Sequence, residues 1–98
     1  MQDHTQHIGV LVVDLYIPGA QSLKDRRMVL RSIKDKVRSK YNASISQLDT
    51  EDKWQTATFG VAMIGNDNRY VQGCLQDILN FIENSNGCEI SDHQIMFL

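Results

Sequence analysis

The segment from His7 to Ile17, HIGVLVVDLYI, constrains the fold of this chain more than any other. Side chains of a strand alternate between two faces, so Leu11, Val13, Leu15 and Ile17 share one side and Val10, Val12, Asp14 and Tyr16 share the other. Both sides are largely apolar, as in a central strand with cover above and below. Pro18 and Gly19 stop it.

A helix is expected next. Ser22 stands three residues before Asp25, the spacing at which a serine oxygen accepts an orphan amide and an acid meets the positive end of a helix. From there to about Tyr41, the positions Leu23, Val29, Leu30, Ile33, Val37 and Tyr41 fall within an arc of roughly 120°. ASISQL reads as a short second strand and DTEDK as a polar turn. Trp54 to Ile64 is the third strand, with Ala57, Phe59, Val61 and Met63 on one face and Trp54, Thr56, Thr58, Gly60 and Ala62 on the other. The small residues and threonines of that second face either leave room for a close approach or form an ordinary half-exposed surface.

GND at 65–67 is a turn whose aspartate suits an N-cap, and Val71, Cys74, Leu75, Ile78, Leu79 and Ile82 then recur at helical spacing up to Asn86 and Gly87. The tail CEISDHQIMFL is a last strand with a polar middle whose alternation stays open. The order is therefore βαββαβ. Right-handed crossovers put both helices on one face of a four-stranded antiparallel sheet, the ferredoxin-like split β-α-β arrangement of the α+β class. Its opposite face is left open, and Val10, Val12, Tyr16 and Trp54 on that face predict contact with a partner, most economically a second copy in a dimer. Residues 8–98 make the single domain and 1–7 a flexible N-terminal arm.

Charge is distributed unevenly. Net charge is -2 over 98 residues, yet Ser22 to Tyr41 holds eight of the ten basic residues and only two acids, Asp25 and Asp35. Lys24, Arg27, Arg31, Lys34 and Arg38 recur at spacings of three and four, forming a stripe beside the apolar arc. Such a stripe runs roughly 20 Å along a helix and can meet several phosphates without reading bases. The alternative is a solvated face paired with Asp49, Glu51 and Asp52. Arg26 points into the apolar arc, where it needs a structural ion pair or a bond to the loop at Pro18 and Gly19.

At this point the residues resemble a known group. The combination of GAQSLKDRR, the YNAS strand start and WQTATFGVAMIGND resembles the YlxP-like family of small bacterial proteins, a family without an assigned activity, from His7 to the mid-nineties. That resemblance implies a ferredoxin-like fold, a bacterial cytoplasmic setting and genes near those for transcription elongation and translation initiation factors. It therefore raises RNA or the ribosome as a partner and supplies no catalytic residue. MQDHTQ extends beyond the usual family start, and Asp14 and Met28 stand where the family is expected to vary.

The remaining features point away from chemistry. No serine or cysteine is matched with histidine and acid, and GND lacks a glycine-rich phosphate loop and its lysine. Acylphosphatases share the expected fold, but they need an arginine in the loop after strand one and an asparagine on strand three. Here the loop is PGAQS and strand three has no asparagine. Asp3, His4 and His7 on a terminal arm, with His93 elsewhere, do not assemble a metal site. Base stacking on Tyr16 and Trp54 is disfavoured by their place near strand ends and by the valines, threonines and glycine between them. Asp14 reads as a polar residue of strand register or interface, and Cys74 and Cys88 as reduced structural residues with no CxxC spacing. No cofactor is called for. MQDHTQHIGV lacks the pattern of a signal peptide and VLVV is too short to span a bilayer, so the expected setting is cytoplasmic. The sequence supports a non-enzymatic accessory protein that touches RNA or the ribosome through the basic helix, or else a homodimeric or hetero-oligomeric adaptor acting through its open sheet. A small-molecule regulatory domain is a third class, without a residue set.

Overall fold

The computed structural model describes residues 5–49 and 53–98. Its elements are β1 (His7–Tyr16), α1 (Leu23–Lys40), β2 (Ser44–Gln47), β3 (Thr56–Gly65), α2 (Asn68–Glu83) and β4 (Glu89–Phe97). The strands pair antiparallel throughout in the order β2-β3-β1-β4, and the two helices cover one face. This is the expected ferredoxin-like α+β arrangement.

The period-two pattern of β1 sorts its side chains as expected. Leu11, Val13, Leu15 and the following Ile17 are buried against the helices, opposite Ala57, Phe59, Val61 and Met63 of β3 and beside Ile45 of β2. From above, α1 adds Leu30, Ile33 and Val37, and α2 adds Val71, Leu75, Ile78, Leu79 and Ile82. Each fully buried side chain of this kind contributes about 1.5–3 kcal/mol relative to exposure. The seat of α2 depends on two glycines. A Cβ on Gly9 would lie 2.7 Å from Leu75 Cδ1 and 2.8 Å from Val71 Cγ1, and one on Gly65 would lie 2.8 Å from Val71 Cγ2. No larger residue lets the helix come this close to β1 and β3.

Local chemistry sets the helix ends. Ser22 Oγ accepts the Asp25 amide at 3.1 Å, and the Asp25 carboxylate accepts the Gln21 amide at 3.0 Å. Asp67 accepts the Arg69 amide at 3.0 Å to open α2. That helix stops at Glu83 with Asn84 as its cap, and Gly87 then turns the chain at φ +89°, a backbone region that favours glycine.

Three details differ from the sequence expectation. Trp54 precedes β3 in a bend and is half exposed, because the pairing of the sheet starts only at Thr56 opposite Tyr16. His7 belongs to β1, paired with Gly65, rather than to a terminal arm; Asp3, His4 and the rest of 1–4 lie outside the described residues. In β4 the register shifts between Asp14 and Leu15, which face Asp92 and Ile90 respectively, so Ser91 is the extra residue of a bulge. No helix is long and apolar enough to cross a membrane among the described residues.

A candidate nucleic-acid interface on the first helix

The position of the basic stripe follows from what holds α1 in place. Arg26, in the middle of the apolar arc, is 5% exposed, and its guanidinium pairs with Asp49 at 2.6 Å while its Nε donates to the Thr56 carbonyl at 2.9 Å. The other oxygen of Asp49 accepts the Thr58 amide at 2.9 Å. The first turn of α1 is thereby bolted to the start of β3 by a charged pair whose members both have further partners. A buried charge survives only under that condition.

The far end of α1 faces two neighbours. On one side Lys40 sets its ammonium 5.0 Å from the Phe81 ring of α2, and Tyr41 meets Phe81 edge-on at 6.3 Å. On the other side Arg38 donates to the Ile45 carbonyl of β2 at 3.2 Å. The stripe thus lies on the flank of α1 that overhangs β2, the short edge strand, and turns away from α2.

On that flank Lys24, Arg27, Arg31 and Arg38 are exposed and Lys34 is half buried. None of Lys24, Arg27, Arg31 and Lys34 forms an ion pair with a described residue. Asp49, one acid that could have neutralised the stripe, is engaged by Arg26; Glu51 and Asp52 lie outside the described residues. Lys24, Arg27 and Arg31 line a shallow concavity together with Met28, which is 64% exposed. Three cations one helical turn apart around an apolar floor suit an anionic backbone whose sugars also make contact. Arg38 is partly committed to the sheet edge, so it both blunts β2 and extends the stripe. Met28 was not in the set expected from sequence, although its place between Arg27 and Arg31 signals it.

The open sheet face has two unlike halves. Val10 and Val12 of β1 are half buried there, with Ile8, Ala62, Ile64 and Met96 around them. Toward the other end, Asp14 accepts the Thr58 hydroxyl at 2.7 Å, and Tyr16 and Trp54 line a shallow hollow of about 360 Å³ with Lys53, Gln55 and Thr56. Of the four residues expected on this face, Val10 and Val12 sit in the apolar half and Tyr16 and Trp54 in the polar half. Sequence reasoning missed Ile8, Ile64 and Met96, although Ile8 and Ile64 have the parity of Val10 and Ala62. The room left by Gly60 is taken by Leu48, whose Cδ1 lies 2.8 Å from the place of a Cβ.

Cys74 and Cys88 are both free. Burial, with Glu89 beside it, pushes the Cys88 thiol above its ordinary range, and its sulfur sits 3.5 Å from the Ile82 carbonyl. No group of three or more His, Cys, Asp or Glu side chains is gathered to hold a metal among the described residues.

Comparison with known proteins agrees with this geometry at the level of fold and family. A designed protein, De novo designed protein Foldit4, superposes with a TM-score of 0.53 at 13% identity, over 92% of this chain and 96% of its own. That likeness concerns the fold alone. The Uncharacterized protein YlxP of Bacillus subtilis (strain 168) is 37% identical over 76 residues, which are 78% of this chain and 83% of that protein. The model of the family described as Protein of unknown function (DUF503) matches residues 8–95. On the extent of both matches, the chain belongs to the DUF503 family, as the SLKDRR and WQTATFGVAMIGND segments imply.

Proposed function

We propose that this chain is a non-enzymatic accessory protein of the cytoplasm that holds the phosphate backbone of structured RNA, ribosomal RNA first among the candidates, on the outer flank of α1. One observation carries the reading: Lys24, Arg27 and Arg31 stand exposed around one concavity without an acidic partner among the described residues. A solvated helix face needs no such excess, since i to i+4 pairs with acids would serve solubility equally well. With eight bases and two acids between Ser22 and Tyr41 and a net charge of -2 for the whole chain, the molecule is an electric dipole. Its positive side favours a polyanion while its negative side repels one, which orients the encounter. The contact is sequence-tolerant, because helix side chains that meet phosphates carry no base readout.

The test is binding of the purified chain to ribosomal subunits and to a structured rRNA fragment across a salt series. Micromolar or tighter binding that weakens steeply with salt is the expected result. Equally poor binding of the wild type and of a Lys24→Gln, Arg27→Gln, Arg31→Gln variant at low salt would sink the reading. A second reading, an adaptor acting through its open sheet, is favoured by the exposed apolar side chains Ile64 and Leu48 on that face.

A further inference from the structure

We propose that the apolar half of the open sheet face is a dimer interface, occupied by a second copy of this chain packed face to face on a two-fold axis near Val10. The phosphate reading of α1 neither requires nor supplies this inference.

Three observations carry it. The first is composition. Val10 pairs laterally with Ala62 on one side and Met96 on the other, and Ile8, Val12 and Ile64 complete an uninterrupted apolar patch. Ile64 is 61% exposed at the centre of this sheet end, where a lone monomer gains nothing from it. The second is charge. The charged side chains of this face, Asp14, Asp92 and Glu89, all lie at the other end, and Asp14 is already served by the Thr58 hydroxyl. Closing the apolar halves on each other therefore buries no unpaired charge, whereas a partner chosen by charge would find nothing to read there.

The third is shape and area. Beside Val10 runs a furrow of about 230 Å³ lined by Leu48, Gly60, Ala62 and the serines of β2, and next to it Ile64 projects. A two-fold operation brings the projection of each copy toward the furrow of the other, the self-complementary relation that an isologous contact demands. With strands about 4.8 Å apart and about 3.4 Å per residue, the strands of this sheet cover roughly 540 Å² in plan. The apolar half takes roughly half of that, so two copies stacked as a sandwich about 10 Å apart remove about 540 Å² in plan, to which side-chain relief adds: a contact below the ~1,200 Å² of ordinary stable interfaces, suited to self-association at high protein concentration. Because both helices sit on the far side of each sheet, the two basic flanks remain outside the sandwich. The dimer would present two of them to one RNA.

Sedimentation equilibrium of the full chain from micromolar to submillimolar concentration tests the inference. The mass of two chains is expected, with Ala62→Glu and, separately, Val10→Lys raising the dimer dissociation constant by about 100-fold or more, as an unpaired buried charge demands. Ala62 is exposed in the single chain, so Ala62→Glu should keep the wild-type circular dichroism spectrum and a cooperative melt, lowered only by the lost association. A single-chain mass for the wild type at every concentration overturns the proposal. So does a two-chain mass that survives both substitutions, since the contact would then lie elsewhere. Mixed assembly with an unrelated protein in place of self-association would transfer the surface to a hetero-partner and overturn the two-fold dimer as well. Salt-dependent RNA binding by the monomeric Ala62→Glu chain separates this outcome from that of the α1 reading.

Discussion

The two helices lie on the same face of one sheet and are built for opposite tasks. α2 seats itself in the gaps left by Gly9 and Gly65, buries five aliphatic side chains and carries one basic residue, Arg69. α1 buries three aliphatic residues and one arginine, and shows a row of cations to solvent. Packing explains Val71, Leu75, Ile78, Leu79 and Ile82 of α2, with Cys74 and Phe81 beside them, and Arg26, Leu30, Ile33 and Val37 of α1; it leaves Lys24, Arg27 and Arg31 without a structural task among the described residues. The contrast directs the search for a partner: a residue type in excess of what folding uses, gathered on one flank, is where one is to be sought.

The contrast can be broken most severely at Arg26. Arg26→Leu strands the Asp49 carboxylate and frees the Thr56 carbonyl, and is expected to cost about 3–5 kcal/mol in chemical denaturation. If it were silent, α1 would not be bolted to β3 and its stripe would have no fixed position. Gly9→Val attacks the seat of α2 instead. Overpacking against Leu75 and Val71 should cost about 1–3 kcal/mol by the same measurement, with no loss of RNA binding at temperatures where the chain stays folded.

A smaller effect comes from Cys88. Its thiol is raised in the folded chain, mainly by burial, so the neutral form is favoured by folding. That contribution is complete below the pKa of the unfolded thiol, about 8.5, and is lost as pH climbs from there toward the folded value. Melting curves should therefore fall off more steeply above pH 8.5 for the wild type than for Cys88→Ala. Smallest of all is the stability effect of changing Lys24, Arg27 and Arg31 to glutamine. It should stay within about 0.5 kcal/mol of wild type, because no described partner is lost. A large loss there would show that the stripe belongs to the fold after all.

Much of this was legible in the sequence because it depends on period and parity. The alternation of β1 placed Leu11, Val13 and Leu15 under the helices and Val10 and Val12 opposite, and the 3.6 period gave both helices and the odd position of Arg26. What failed to show were contacts between segments distant in sequence. Asp49 was counted among acids near the stripe, yet it is drawn to Arg26, 23 residues away, because the turn after β2 carries it beneath the first turn of α1. The bond from Arg38 to Ile45 closes over the α1–β2 loop and has no periodic signal. The alternation of β4 could not be assigned because the bulge at Ser91 inverts its parity midway. The spacing of the stripe was legible, and the loss of Asp49 as its acidic neighbour was not, since that depends on where Asp49 goes.

The measurement that bears most directly on the central claim compares two variants of equal charge. One carries Lys24→Gln, Arg27→Gln and Arg31→Gln, the other Lys36→Gln, Lys40→Gln and Arg69→Gln, and both have three positive charges fewer than the wild type. The slope of log affinity for structured RNA against log salt is measured for all three proteins. If α1 holds phosphates on its β2-side flank, the first variant loses close to one unit of slope per residue, roughly three in all, while the second stays near wild type. Equal loss in both variants would mean that only net charge matters, and would contradict a built phosphate-binding flank.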